Sequence, residues 1–239
     1  MNLFEETAAW LADPVNWAGP AGVPARLAEH LYYSALTLVI AAAIAVPLGL
    51  FVGHTGRGRL AVVGIASGLR AMPTLGLLTL FVILMGLGLM PPIYALVILA
   101  IPPLLAGTYS GIAAVDRQLV DAARAMGMTE WQVLVRAELP NALPVLLGGV
   151  RAAVLQVIAT VAVVAYINLG GLGRYLIDGL AVRDSVRLFA GALLIAALAL
   201  VVDALLAAVQ KVAVSPGLRG PGGGPKGRTS KVGTATAGT

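Results

Sequence analysis

The feature that most constrains this chain is a set of long stretches without a charged side chain. Leu31–Val52, Ala71–Val115 and Ala152–Leu169 carry none, and residues 188–210 carry a single acid, Asp203. A helix needs about 20 apolar residues to cross a ~30 Å hydrocarbon core with its backbone hydrogen bonds satisfied internally. The runs are continuous and do not alternate, which excludes a membrane barrel. With 59% apolar and 11% charged residues, the composition lies far outside that of soluble domains. The chain therefore reads as an all-α integral membrane protein with about five transmembrane helices, six being the alternative.

Pro91 and Pro92 divide the longest run, because neither can donate to a helix ladder and the first restricts the residue before it. Spans are thus expected at about 31–52, 70–90, 93–113, 152–169 and 188–210, with residues 60–69 as a lead-in helix near the interface. The six-span alternative makes 60–69 part of a separate crossing. Arg70 should then lie near the interface or face the protein interior, since a cation at the bilayer centre costs at least ~2.5 kcal/mol. Residues 1–30 mix Glu5, Glu6, Asp13 and Glu29 with Trp10, Trp17 and a single basic residue, Arg26. They read as an extracytoplasmic or interfacial arm, not as a signal peptide. Residues 31–212 form the membrane domain, and 213–239, rich in Gly, Pro, Ser and Thr, are expected to be a disordered tail.

No catalytic constellation is visible. His30 and His54 are the only histidines, and cysteine is absent, which excludes disulfides and thiolate metal sites. No metal or cofactor is called for. The net charge of +5 sits in loops and tail without interleaved aromatics, which suits anchoring to the lipid bilayer and not nucleic acid. Gly49/Gly53, Gly64/Gly68 and Gly107/Gly111 are small-xxx-small pairs of the kind that pack helices.

The one extended polar segment between apolar runs is 114–148. Arg117, Asp121 and Arg124 share a helical face, and Ala122 and Ala123 leave a side-chain-poor surface beside them. Gly127 suits the left-handed end of a helix, Thr129 with Gln132 forms a capping-box pattern, and Leu139-Pro140 reads as a proline stop. The order acid-Ala-Ala, three residues, Gly, then a spacer ending in Leu-Pro resembles the cytoplasmic coupling loop of ABC importer permeases. Asp121 stands where that pattern more often has Glu, and Ala137 where it usually has a larger aliphatic residue.

Further patches narrow the resemblance. Met72-Pro73-Thr74-Leu75, Pro102-Pro103, Thr108-Tyr109-Ser110-Gly111 and Gly170-Gly171-Leu172-Gly173 are together similar to the small permeases of osmoprotectant importers, which carry glycine betaine, choline, carnitine or proline betaine. Methionine importer permeases share the glycine patch and the coupling loop. The resemblance implies a type I importer permease in the cell membrane, with its amino terminus outside and its carboxyl terminus in the cytoplasm. It implies a cytosolic ATP-binding subunit, a second permease subunit (identical or related) and an extracytoplasmic solute-binding protein as partners. Asp121, Ala122, Ala123, Arg124, Gly127, Leu139 and Pro140 would couple to the ATPase. Pro73, Thr74, Gly170, Gly171 and Gly173 would lie at the pathway or its gate. A stand-alone channel or assembly protein is the reading from a different class.

Overall fold

The computed structural model describes residues 2–213, and residues 214–239 of the expected tail lie outside them. Four helices are long and apolar enough to cross a membrane, or five if one bent pair counts as a single span; among the described residues there is no sixth. The chain opens with α1 (Leu3–Ala12), held at its start by an Asn2–Glu5 capping box, and a 3-10 turn at Pro14–Trp17. The first long helix, α2, is Val23–Thr55. It starts well before Leu31, because Pro24 is tolerated in a first turn and Arg26, Glu29 and His30 find partners instead of ending the helix. At about 1.5 Å per residue it is ~50 Å long, so it extends beyond the hydrocarbon layer. The arm accordingly ends near Gly22 and not at residue 30.

The expected span at 70–90 is broken. Helices α3 (Arg59–Arg70) and α4 (Thr74–Met85) meet at a bend of 89°. Each is only ~18 Å long, so neither crosses alone. Pro73 causes the break, since it withholds a backbone donor and pushes Met72 out of helical geometry. Helix α5 (Met90–Ala113) begins with Pro91 and Pro92 in its first turn, where missing N–H groups cost nothing, and carries Pro102 and Pro103 inside.

The polar segment folds as α6 (Arg117–Ala125) and a single turn, α7 (Glu130–Gln132). A six-residue π segment, Val133–Glu138, then leads directly into α8 (Leu139–Val161) and a 3-10 turn at Ala162–Ile167. Leu139-Pro140 is therefore not a stop. The wider π turn lets Leu139 N–H donate to the Leu134 carbonyl, and Pro140 falls in the first turn of α8, where its ring is accommodated. The fourth span reaches back to Glu130 instead of starting at Ala152. Helices α9 (Gly173–Val182) and α10 (Ser185–Ala213) complete the chain.

Close approaches fix the direction of each helix. Gly49 and Gly53 of α2 face Thr108 and Ile112 of α5, so these two run parallel. Gly107 and Gly111 of α5 face Gly149 and Ala142 of α8, which is antiparallel. Arg151 of α8 pairs with Asp203 of α10, and Gln210 donates to the Pro144 carbonyl 3.1 Å away, again antiparallel. Because α2 and α5 point the same way, α3 and α4 together must return the chain across the layer. They act as one broken span, and residues 2–22 and Lys211 end at opposite faces. The main core, with Ala41, Ala45, Ile93, Leu104, Val157 and Val161, lies where α2, α5 and α8 meet. Gly64 and Gly68 face open space, so this pair, unlike the other two, packs against nothing among the described residues.

The Arg151–Asp203 pair offers a direct test of the α8–α10 contact. Asp203→Leu leaves a guanidinium unpaired within a span and should lower the melting temperature of the permease in detergent. The Arg151→Leu/Asp203→Leu double variant should recover most of it. Equal loss in the single and double variants would show that the pair does not hold these helices together.

Candidate functional site

At the face where α2, α5 and α10 end, the polar segment forms a knob with a small core of its own. Val120, Ala123, Val133, Leu134 and Ala137 pack against Ile112, Val115 and Ala142. The small side chain at Ala137 is buried in this cluster, so a compact residue serves where the family pattern has a larger one. Asp116, which the sequence reading passed over, caps α6 by accepting from Gln118 N–H at 2.9 Å. Gly127 has φ +82°, and a Cβ there would meet nothing within 4 Å, so its left-handed backbone and not crowding calls for glycine. The Thr129–Gln132 capping box is formed at both of its hydrogen bonds.

The structure divides the residues singled out from the sequence. Asp121, Ala122, Arg124 and Gly127 are on the outside of the knob, whereas Ala123 is 3% exposed and faces inward. Ala122 and Ala123 therefore do not form one shallow surface: Ala123, about 100° around the helix from Ala122, falls on the face that packs into the knob's core. Arg124 is engaged within the knob, its guanidinium forking onto both carboxylate oxygens of Glu130 at 3.0 Å. That hydrogen-bonded carboxylate raises the Arg124 pKa further above its already high value, so the guanidinium stays ionised. Asp121 reaches Arg124 only at 3.6 Å and keeps a side chain 72% exposed. Two apolar side chains the sequence reading missed, Met126 and Trp131, stand out from the same surface, each more than two-thirds exposed. Leu139 and Pro140 are half-buried at the start of α8.

A second unforeseen feature joins the knob to the bundle. His54, at the end of α2, places Nδ1 2.6 Å from Glu138 Oε2 and Nε2 3.1 Å from Glu130 Oε2. Each ring nitrogen thus lies within hydrogen-bond reach of a carboxylate oxygen. Glu138 lies in the π segment with only 4% of its side chain exposed, so this is a buried acid whose partner comes from another helix. Residues 54 and 138 lie too far apart in sequence for any spacing argument to pair them.

At the opposite face, the glycine patch is a joint. Asn168 ends the 3-10 turn with φ +67°, and Gly171 follows with φ +90°. Gly171 N–H donates to Glu29 Oε2 at 2.7 Å, and a Cβ on Gly170 would collide with the same carboxylate. A Cβ on Gly173 would lie 2.1 Å from the Ala162 carbonyl oxygen. The arm closes over this loop: Tyr175 donates to the Ala21 carbonyl at 2.8 Å and meets Trp10 edge to face. Pro73 and Thr74 are elsewhere, at the break between α3 and α4. The sites expected at the pathway therefore fall in two separate places.

Residues 45–213 match the family model described as "Binding-protein-dependent transport system inner membrane component". The chain is 32% identical over 195 residues to the glycine betaine/carnitine/choline transport system permease protein OpuCB of Bacillus subtilis (strain 168), covering 82% of this chain and 90% of that protein. It is 35% identical to the carnitine transport permease protein OpuCB of Listeria monocytogenes, covering 76% and 84%. With the osmoprotectant import permease protein OsmW of Salmonella typhimurium (strain LT2) it shares 37% identity, covering 80% and 91%. Among solved structures, an inward-facing conformation of the MetNI methionine ABC transporter aligns with TM-score 0.74 over 85% of this chain and 100% of that one, at 19% identity. A chain of an amino acid ABC transporter aligns with TM-score 0.61 over 89% and 97%, at 20% identity. The fold is that of type I ABC importer permeases.

Proposed function

Because the chain belongs to the family of binding-protein-dependent transport system inner membrane components, we propose that it is the membrane subunit through which an ATP-driven importer passes compatible solutes. Relatives at 32–37% identity are permeases named for glycine betaine, carnitine, choline or osmoprotectants, and these favour that solute class over methionine, for which only the fold speaks. The relatives are permease subunits, so ATP hydrolysis belongs to a partner, a cytosolic ATP-binding subunit. An extracytoplasmic binding protein delivers the solute, and a second permease, identical or related, completes the pathway.

The observation that carries this reading is the knob at 116–138: a compact unit with its own core, fastened to α2 through His54 and continuous with α8. A force applied to it reaches two spans without passing through a flexible joint. Asp121, Ala122, Gly127, Met126 and Trp131 form the surface offered to the ATPase. Ala123, Leu139 and Pro140 fix that surface to the bundle, and Arg124 stiffens it through Glu130. Closure of the ATPase pair then rocks α2 and α8 and alternates access between the two faces. The knob end is cytoplasmic in this reading, the amino-terminal arm and the glycine joint are outside, and the carboxyl terminus is inside. Pro73 and Thr74 supply a hinge in the broken span, and Gly170, Gly171 and Gly173 a joint at the outer gate.

Two experiments test it. The absence of cysteine makes a single Ala122→Cys a clean reporter, and it should react with an impermeant maleimide only after the membrane is opened. Reaction in intact cells would place the knob outside and end the importer reading. Gly127→Asp puts a side chain on a left-handed backbone, at about 1 kcal/mol or more, and a charge on the docking surface. Uptake of labelled glycine betaine by the whole importer should fall at least tenfold, equivalent to ~1.4 kcal/mol, with the permease still in the membrane. Unchanged uptake and unchanged retention of the ATPase would remove the coupling role.

A further inference from the structure

Two arginines lie well inside spanning runs, and the structure treats them differently. Arg151 is paired with Asp203. Arg70, the last residue of α3, makes no hydrogen bond or ion pair among the described residues. It borders a cavity of about 470 Å³ between α3 and the second half of α5. A volume of that order accommodates a small solute. Val62, Ala66 and Leu105 form apolar walls, and Ser67, Tyr109 and Ser110 bring hydroxyl groups.

Two further observations say what the cavity suits. The Arg59 guanidinium stands over the Tyr109 ring, 5.9 Å from its centroid, so this ring face already accepts a cation. Arg70 and Ala71, which line the cavity, also adjoin the 89° break in the second span, and broken spans are where transporters place solute sites, since irregular backbone is tolerated in a membrane only beside a cavity. An unpaired guanidinium beside an aromatic ring within one apolar-walled space matches a molecule carrying a carboxylate at one end and a compact cation at the other.

We propose that the α3–α5 cavity is a solute site within the permease, in which Arg70 binds the carboxylate of a zwitterion and the Tyr109 ring receives its cationic end. This rests on the compatible-solute reading and deepens it: the permease itself distinguishes a carboxylated solute from a simple quaternary ammonium alcohol. Glycine betaine and choline are the appropriate probes, because both carry the trimethylammonium group and only the first has a carboxylate.

The test uses the whole importer in cells, with labelled glycine betaine and choline supplied separately. Because the charged partner of the carboxylate is lost, Arg70→Gln should lower glycine betaine uptake about 10–100-fold while choline uptake stays within about twofold of wild type. Arg70→Lys, which keeps the charge, should restore much of the betaine uptake. Tyr109→Leu should reduce both solutes, and Tyr109→Phe neither. Equal effects of Arg70→Gln on both solutes, or no effect on either, would overturn the site while leaving the importer reading in place. Wild-type cells taking up neither solute would overturn the compatible-solute reading and the proposal with it.

Discussion

Gly149→Leu should remove the folded permease from the membrane, while Gly148→Leu, one residue earlier, should leave it close to wild type. Helices α5 and α8 touch backbone to backbone at this point: a Cβ on Gly149 would lie 2.5 Å from Gly107 Cα and 3.2 Å from the Pro103 carbonyl oxygen. No rotamer change relieves a contact with main chain, so the helices must separate along the seam that carries the core. Adding methylene groups to a packed interior costs about 1–3 kcal/mol where side chains can adjust, and at this site they cannot. We therefore expect at least the upper end of that range from alanine at position 149 and loss of the protein from leucine. Gly148 is exposed, with nothing within 4 Å of a Cβ, and its replacement improves helix propensity. Detergent extraction followed by size-exclusion chromatography reads both variants. A well-behaved Gly149→Leu permease would mean that α5 and α8 do not meet at Gly107.

The second large effect lies at the knob. His54→Leu strands the Glu138 carboxylate in a site where 4% of its side chain reaches solvent. Removing the hydrogen-bond partner of a buried acid leaves that group unsatisfied, at about 1–3 kcal/mol or more. The variant should melt markedly earlier than wild type, and its uptake should fall because the knob is no longer held to α2. His54→Leu/Glu138→Leu removes the stranded charge and should regain much of the stability. It should not regain uptake to the same degree, since the apolar replacement lacks the directional 2.6 Å contact. A double variant as unstable as the single one would show that the two side chains do not act as a pair. Glu130 is the natural comparison: it is 60% exposed, and losing its contact with His54 should shift the melt far less than His54→Leu does.

Much of this protein is legible in its sequence, and the reasons differ by element. Spans follow from hydrophobic length alone, so four of the five regions were located even though their ends moved. The ends differ because a charged side chain reads as a boundary in sequence but does not end a helix when a distant partner meets it. Glu29 and His30 lie inside α2, where Glu29 accepts from Gly171 N–H and His30 Nε2 meets the Ile158 carbonyl, and those partners are more than 120 residues away. The break at Pro73 was readable as a proline and not as an 89° bend, because the angle depends on what α3 and α4 pack against. Within the knob, local rules sufficed where the interaction is local: the left-handed Gly127 and the Thr129–Gln132 box are decided within a few residues. They failed at Leu139-Pro140, where a π turn lets the helix continue through a sequence that ordinarily ends one.

Hydrophobic length, prolines and capping patterns by themselves determined that this chain is a helical membrane protein, roughly where it crosses, and that a polar helical knob interrupts it. These are short-range properties: a span must satisfy its own backbone, and a cap its own first turn. The tertiary structure alone decided that Ala123 faces inward, that Arg124 is engaged by Glu130, that His54 fastens the knob to α2, and that Arg70 borders a cavity while Arg151 has an acid. Each of these depends on which helices meet and in what direction, and that is set by close packing among residues far apart in the chain.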